Sequence, residues 1–323
     1  MRTEIESLRK SMIWRMAISI LIVFSIKPLV LSQIADTIVV GTESNYAGRY
    51  ITIEPIDKSL HAFMILIPGL GQAPDNLLVQ TDLTQISQAN GILTIIPTLQ
   101  DGFVSFGIDS LSQNSLRRII NDAVERYDLT DMRFYIGGFS IGGSCAVKYA
   151  ELANQYQYSS IPDAVFAIDP PLDFERFYQS RVRENRLNYP AEPSRENIFM
   201  IGKIEEIMGG SPEVALDKYH QISPYSFRDT SQQSIKTLTN TPIRLYTEPD
   251  VNWWISERGS DFSGMNSLDC SAMINELRRL GNHNAALITT LDKGYRKPNN
   301  HRHPHSWSIV DSIELIHWLQ TFE

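Results

Sequence analysis

The chain has 323 residues, of which 42% are hydrophobic and 20% are charged, and its formal net charge is −8. This length and composition are ordinary for a globular protein of one large domain or two small ones. The acidic balance, with no basic stripe, excludes nucleic acid as an expected partner.

The N-terminal segment combines basic residues with a short apolar run. Basic residues up to Arg15 precede the apolar run Met16–Ile26, which is shorter than the roughly 20 apolar residues needed to cross a bilayer. This arrangement predicts a signal peptide over residues 1–32 that is cleaved after Ser32. The mature chain would then be exported, either periplasmic or secreted, and would keep no stable membrane span. The alternative is an uncleaved membrane anchor over residues 12–31.

Seven short apolar runs follow, separated by longer stretches. Most of them are β-branched and lack polar alternation, which is typical of strands buried on both faces of a parallel sheet. The predicted strands are residues 50–55, 63–69, 91–98, 133–140, 164–170, 243–250 and 285–292. Amphipathic patterns between or after them predict helices at residues 114–127, 271–282 and 312–322. Alternating strands and helices predict an α/β fold of three layers, with helices on both faces of a mostly parallel, twisted sheet.

One long segment breaks this alternation. Residues 172–235 separate two predicted strands by far more than a usual loop. The segment contains helix-like pieces at Phe174–Arg183 and Pro212–His220. We interpret it as a cap or lid insertion over the sheet edge, within a single domain that spans residues 33–323.

The two cysteines, Cys145 and Cys270, are too few for a disulfide framework. Cys145 follows the fourth predicted strand, where a buried helix is expected, and it is predicted to be a small core residue. A disulfide between the two cysteines is the alternative in an exported protein.

A serine flanked by glycines follows the fourth predicted strand. The string Gly138-Phe139-Ser140-Ile141-Gly142 matches the pattern G-x-S-x-G. A tight strand-to-helix turn places the serine in an uncommon backbone conformation and brings positions 138 and 142 together, where glycine fits. An ordinary turn is the alternative. The apolar strand before the pattern and the helical stretch after it favour Ser140 as an exposed nucleophile.

A serine nucleophile needs a base that removes its proton. Five of the seven histidines follow residue 282. His305 is the predicted base because Ser306-Trp307 starts the terminal helix and fixes the histidine at a loop–helix junction, and His303 is the alternative. His301, His303 and His305 have a spacing that could gather imidazoles on a metal, but no cysteine or acidic ligand cluster accompanies them. No metal is therefore expected.

The base in turn needs a carboxylate that orients it. Asp250, the last residue of the sixth predicted run, is the predicted acid, because the loop that begins there can turn its side chain back towards the histidine. Glu248 is the second candidate. Asp169, at the end of an earlier strand, is a third and is followed by Pro170-Pro171. A helix N-cap is the structural alternative for Asp250.

The tetrahedral intermediate of acyl transfer needs backbone N–H donors. The N–H of Ile141, directly after the serine, is one predicted donor of this oxyanion hole. The second is the N–H of Leu70, which stands between Gly69 and Gly71 after the second predicted strand. A plain glycine turn is the alternative for this loop.

These motifs, in order, carry a resemblance to a known superfamily. The strings LIPGLG, RFYIGGFSIGG, SPYSF before TPIRLYTEPD, and HPHSW together resemble the α/β-hydrolases, close to the esterase-D-like and feruloyl-esterase-like secreted esterases. The resemblance covers about residues 50–322. It implies an eight-stranded, mostly parallel sheet, and it implies that Ser140, Asp250 and His305 form a catalytic triad, with the N–H groups of Leu70 and Ile141 as oxyanion donors.

Two positions depart from the pattern of these esterases. Pro68 stands where the oxyanion loop of the family usually has a histidine, and the acid motif reads TEPD where a glycine commonly ends the strand.

The motifs and the resemblance predict an exported serine esterase that works through an acyl-enzyme without metal or organic cofactor. A serine peptidase of the same fold is one alternative, and an inactive homologue that binds a ligand is another. The expected substrate is a small-molecule or carbohydrate-linked ester, since Trp253, Trp254 and Trp307 could offer aromatic faces to a sugar or an aryl group. The oligomeric state stays open.

Overall fold

The structure is a computed structural model that describes residues 37–56, 59–187 and 191–322, with side chains from residue 195 onward in the last range. The predicted signal peptide and the alternative anchor lie outside the described residues. Within these three ranges, no helix combines the length and the apolar character that crossing a membrane requires.

An eight-stranded sheet forms the centre of the fold. Its strands are ordered β1-β2-β4-β3-β5-β6-β7-β8. Strands β3 to β8 are parallel, and β1 and β2 join one edge antiparallel. The strand bounds are β1 Ile38–Val40, β2 Gly48–Ile53, β3 Ala62–Ile67, β4 Ile92–Leu99, β5 Arg133–Phe139, β6 Ala164–Ile168, β7 Ile243–Thr247 and β8 Ala285–Thr289, with a separate hairpin of β9 Tyr295–Arg296 and β10 His301–Arg302. The eight-stranded, mostly parallel sheet implied by the resemblance is confirmed.

Helices cover both faces of the sheet and fill the insertion. In the described ranges they are α1 Pro74–Gln80, α2 Leu83–Ala89, α3 Ser110–Tyr127, α4 Ile141–Tyr156, α5 Phe174–Arg186, α6 Ala191–Met208, α7 Pro212–Ile222, α8 Val251–Arg258, α9 Ser267–Arg279 and α10 Ser312–Gln320. Helix α3 begins at an N-cap, Asp109, whose Oδ1 accepts from the N–H of Ser112 at 2.9 Å. The helices predicted at residues 114–127, 271–282 and 312–322 correspond to α3, α9 and α10.

The seven predicted strands are all present. Strand β1 was not predicted because it has only three residues, too few to show a period. The hairpin β9–β10 was missed for the same reason, since each of its strands has two residues. This hairpin shapes the loop that carries the C-terminal histidines.

The apolar strands have a core on each side. In β3, Ile65 packs into one cluster with Leu116 of α3, whereas its neighbours Met64 and Leu66 pack into the other cluster with Leu315 of α10. Successive side chains of a strand point to opposite faces of its sheet. A strand between two helical layers must therefore be apolar at every position, which explains the unbroken hydrophobic runs.

The insertion has its own small core. Its helices α5, α6 and α7 contribute Phe174, Ile204 and Tyr219 to a third buried cluster, which also contains Ile141 at the start of α4. The two helical pieces predicted within residues 172–235 correspond to α5 and α7. Helix α6 was not predicted, and it faces the candidate site.

Both cysteine thiols are buried and free. Cys145 lies on α4, where the sequence placed a small core residue, and its burial raises the pKa of the thiol. Cys270 lies on α9, so the alternative disulfide is absent.

Candidate active site

Ser140 occupies a sharp turn between β5 and α4. Its backbone has φ 54° and ψ −126°, a conformation that costs a non-glycine residue about 1–3 kcal/mol and persists only when the surroundings enforce it. The enforcement is visible in the hydrogen bonds. Ser140 N–H donates to the carbonyl of Ile168 at 2.8 Å, and its own carbonyl accepts from Gly143 at 2.9 Å and Ser144 at 3.2 Å. The turn is therefore tied both to the end of β6 and to the first turn of α4.

The flanking glycines are there because the backbone passes too close for a side chain. A Cβ at Gly138 would lie 2.5 Å from the carbonyl carbon of Gly142. A Cβ at Gly142 would lie 2.3 Å from the carbonyl oxygen of Pro68 and 2.4 Å from that of Ile67. The predicted reason for the G-x-S-x-G pattern, close approach across the turn, is thus the arrangement found.

His305 lies against a carboxylate at the end of β6. Its Nδ1 is 2.6 Å from Oδ2 of Asp169, and both side chains are largely buried. Because an ionised carboxylate only accepts, the proton is assigned to Nδ1, which leaves Nε2 available to take another. The imidazole also packs on the ring of Phe139, with 4.4 Å between ring centroids. The pair therefore presents a basic nitrogen held in one tautomer.

The backbone of Asp169 is fixed as firmly as that of Ser140. It has φ 47°, its N–H donates to the carbonyl of Tyr246 at 2.7 Å, and its carbonyl accepts from Nδ2 of Asn266 at 2.9 Å. The residue before it, Ile168, accepts from Ser140. The serine turn and the carboxylate turn thus adjoin at the carboxyl ends of neighbouring parallel strands.

The expected contact between Asp250 and His305 is wrong. Oδ1 of Asp250 accepts from the N–H of Trp253 at 3.1 Å and caps α8, and its Oδ2 accepts from Nη2 of Arg302 at 2.8 Å. The N-cap alternative therefore describes Asp250. Asp169, the third candidate, takes the position on His305, because the end of β6 lies beside Ser140 whereas the loop after β7 is held by Arg302.

Glu248, the second candidate, is also committed elsewhere. Its side chain is fully buried and lies 2.6 Å from Nη1 of Arg302. Its carboxylate accepts from the N–H of Lys293 at 2.9 Å, from the N–H of Gly294 at 3.1 Å and from Oγ1 of Thr290 at 2.9 Å. Glu248 therefore organises the loop after β8, which leads into the histidines, and makes no bond to a histidine itself.

His303, the alternative base, supports His305 rather than replacing it. Its Nδ1 accepts from the N–H of His305 at 3.2 Å, and its ring packs against both Trp253 and Trp254. Burial, followed by the positive charge of Arg296, lowers the pKa of His303 to about 2. A histidine kept neutral in this way takes up no proton in the physiological range. In the described ranges, no three His, Cys, Asp or Glu side chains are arranged to hold a metal ion.

The two predicted oxyanion donors line two different hollows, and only one of these contains Ser140. Ile141 lines the same cavity as Ser140, and Leu70 lines an adjacent hollow between its glycine loop and Trp307. The loop is shaped by Gln72, whose Oε1 accepts from Gly69 N–H and from Nε1 of Trp307, each at 3.1 Å. In the part of the chain that the structure describes, neither the Leu70 nor the Ile141 N–H has an acceptor. Both are available to a ligand.

A cavity of about 160 Å³ adjoins Ser140, Asp169 and His305. The insertion contributes Phe177 of α5 and Met200 of α6 to the lining of this cavity. Residues of the insertion and Ser140 thus line the same cavity. Phe177 can thus meet a bound molecule, whereas Phe174 and Tyr178 are buried in the insertion's own core, and Tyr189, a further aromatic of the insertion, lies outside the described residues.

The sequence matches no known family model and no curated protein. Among solved structures, a carboxyl esterase 2 from the fungus Tuber melanosporum is 14% identical with a TM-score of 0.57, and the match covers 93% of this chain and 88% of the esterase. An esterase from Pyrobaculum calidifontis is 14% identical with a TM-score of 0.55, covering 89% of this chain and 83% of that one. An acylaminoacyl peptidase from Pyrococcus horikoshii is 11% identical with a TM-score of 0.54, and the match covers 90% of this chain but only 40% of the peptidase. At these identities the likeness is one of fold, and the fold of this chain is that of the α/β-hydrolases.

Proposed function

We propose that the protein is a serine hydrolase that cleaves carboxylic esters through an acyl-enzyme. The observation that carries the proposal is the 2.6 Å bond between His305 and Asp169 in the same cavity as Ser140, a serine held at positive φ. A nucleophile, a base and an orienting carboxylate are the three groups that acyl transfer to a hydroxyl needs. The fold, shared with esterases, agrees with this chemistry.

In the proposed reaction, Oγ of Ser140 attacks the ester carbonyl carbon while Nε2 of His305 takes the hydroxyl proton. Asp169 keeps the imidazole in its tautomer and stabilises the imidazolium that forms. The developing oxyanion accepts from the N–H groups of Ile141 and Leu70. The C–O bond then breaks, and His305 gives the proton to the leaving alcohol. Water, deprotonated by the same nitrogen, then attacks the acyl carbon, the bond to Oγ breaks to release the acid, and His305 returns the proton to Ser140.

The test is labelling with a fluorophosphonate probe together with release of para-nitrophenol from para-nitrophenyl esters. We expect the probe on Ser140, located by peptide mass spectrometry. Ser140→Ala should lose both labelling and hydrolysis, the latter by about 10⁴-fold or more. Ser271→Ala, an exposed serine on α9, is the matched control and should keep both. If the wild-type protein is not labelled, although its cavity is large enough for a ligand, the alternative of an inactive homologue that binds a ligand is favoured instead.

A peptidase is the second candidate, because the fold is shared with acylaminoacyl peptidase. Two acidic groups that could bind a peptide amine, Glu184 and Glu205, are already hydrogen-bonded, which argues against it, whereas Glu196 lines the cavity and is exposed. Glu184 lines the cavity but accepts from Arg181, Asn197 and Ser260. Glu205, in the insertion, accepts from the hydroxyl of Tyr178. We expect para-nitrophenyl esters to be cleaved and the matching para-nitroanilides not, and the reverse result would make the protein a peptidase.

We also propose that the chain is exported, on the sequence of its first 32 residues alone. Intact-mass spectrometry of the protein from its native host should find a mature chain that begins near Gln33. A mass that retains residues 1–32, with the protein in the membrane fraction, would indicate the anchor instead.

A further inference from the structure

Two arginines in the cavity wall have no carboxylate partner. Arg258, at the end of α8, and Arg296, in β9, both line the cavity that contains Ser140. Nη2 of Arg258 has His303 Nε2 as its contact, at 3.4 Å, and Arg296 donates to the carbonyl of His305 at 3.2 Å. In residues 37–56, 59–187 and 195–322, no carboxylate oxygen lies within 4 Å of either guanidinium.

Most other charged groups of the cavity wall are paired. The pairs are Arg181 with Glu184, Glu248 with Arg302, and Asp169 with His305. Glu196 of α6 is the remaining acid among the described lining residues, and it is exposed. Arg258 and Arg296 are therefore the two guanidinium groups of the cavity lining that have no carboxylate partner among the described residues.

The contact between Arg258 and His303 does not satisfy either group. Nδ1 of His303 accepts from the N–H of His305, so the single proton of the neutral ring is assigned to Nε2. A ring N–H then faces a guanidinium N–H at 3.4 Å, and two donors meet without an acceptor. Desolvation and then the charge of Arg258 lower the pKa of Arg296, and the charge of Glu196 offsets part of this shift.

We propose that Arg258, Arg296 and the Nε2–H of His303 form a subsite for a carboxylate carried by the substrate. The proposal rests on the proposed ester hydrolysis and names the class of ester. A guanidinium presents a planar fork of donors that matches a carboxylate, and a carboxylate here would accept from donors that now face one another.

Two matched pairs of esters test the subsite on either side of the scissile bond. Para-nitrophenyl hydrogen adipate and its methyl ester differ in charge on the acyl side. Para-acetoxybenzoate and its methyl ester differ in charge on the alcohol side. The measured quantity is the ratio of kcat/KM for the charged member to kcat/KM for the neutral member. The intrinsic reactivity of each ester is the same for every variant, so it cancels when this ratio is compared between variants.

We expect the wild-type protein to favour the charged member of at least one pair, and Arg258→Gln to lower that ratio about tenfold or more, since a hydrogen bond to a charged group contributes roughly 1.5–3 kcal/mol. Arg258→Lys keeps the charge without the fork and should give an intermediate ratio, which guards against a folding defect in the glutamine variant. Arg279→Gln, an exposed arginine on α9, is the matched control and should leave the ratio unchanged.

The inference is overturned if the ratio for both pairs is the same in Arg258→Gln as in the wild-type protein, while neutral esters are still cleaved. Absence of fluorophosphonate labelling and of all ester cleavage would be a different result. That result would overturn the proposed function and, with it, the inference that depends on it.

Discussion

Two neighbouring strands end in acidic residues, and the two turns use their acids differently. After β6, Asp169 has φ 47° and bonds to His305. After β7, Glu248 and Asp250 both bond to Arg302 and make no contact with that histidine. The first turn lies beside the serine and does chemistry, in our proposal, whereas the second fixes the loop that delivers the histidine. An acid at the carboxyl end of a strand is thus a candidate for either role, and its partner decides which.

The largest effect should come from Asp169→Asn. An amide in place of the orienting carboxylate no longer holds the imidazole in the required tautomer, which lowers kcat by about 10⁴-fold in a serine–histidine–aspartate triad. The near-isosteric change should leave the thermal midpoint close to that of the wild-type protein. Steady-state kinetics on a neutral para-nitrophenyl ester, together with thermal unfolding, measure both quantities.

The comparison between the two turns supplies the control for this variant. Asp250→Asn makes the same chemical change at the other turn and should retain most of the activity. If Asp250→Asn lost as much activity as Asp169→Asn, both turns would act on the histidine, and the distinction drawn from the contacts would fail.

Most of the architecture was predictable from the sequence, but the acid was not. The long apolar runs predict the buried strands because a strand between two helical layers has no polar face, and the glycines around Ser140 predict its turn because no Cβ fits. The ends of the predicted strands also limited the candidates for the orienting acid to three residues. Which of the three acids contacts His305 depends on which carboxylates Arg302 binds, and Arg302 lies far from Asp250 along the chain. No local pattern records such a contact.

A second prediction concerns stability at the turn after β7. Glu248→Gln removes the charge from a fully buried carboxylate whose partner is Arg302 and whose oxygens accept from the loop after β8. Arg302 keeps Asp250 as a partner and its side chain is 21% exposed, so the cost should be below the roughly 3–5 kcal/mol of breaking an isolated buried pair. It should be about 1–3 kcal/mol, the cost of leaving buried hydrogen-bonding groups unpaired. We expect a loss of that size in the free energy of unfolding, measured by urea titration.

Any loss of activity in Glu248→Gln should come from displacement of the loop after β8 and not from the loss of a catalytic group. Fluorophosphonate labelling of Ser140 should survive under conditions where the variant is folded, because the Asp169–His305 pair is intact. Loss of labelling in fully folded protein would mean that Glu248 contributes to catalysis, contrary to its position.

The smallest effect should come from Asp250→Asn on stability. Asparagine caps a helix about as well as aspartate, so the bond to the N–H of Trp253 should persist. Asp250→Asn loses the ion pair with Arg302. The side chain of Asp250 is 22% exposed and that of Arg302 is 21% exposed. A partly exposed pair contributes at most about 1 kcal/mol, and Arg302 keeps Glu248.

Asp250→Ala removes the cap as well and should cost about 1 kcal/mol more. Urea titration of the two variants side by side separates cap from ion pair. Equal losses in both would mean that the ion pair, and not the cap, is what Asp250 contributes.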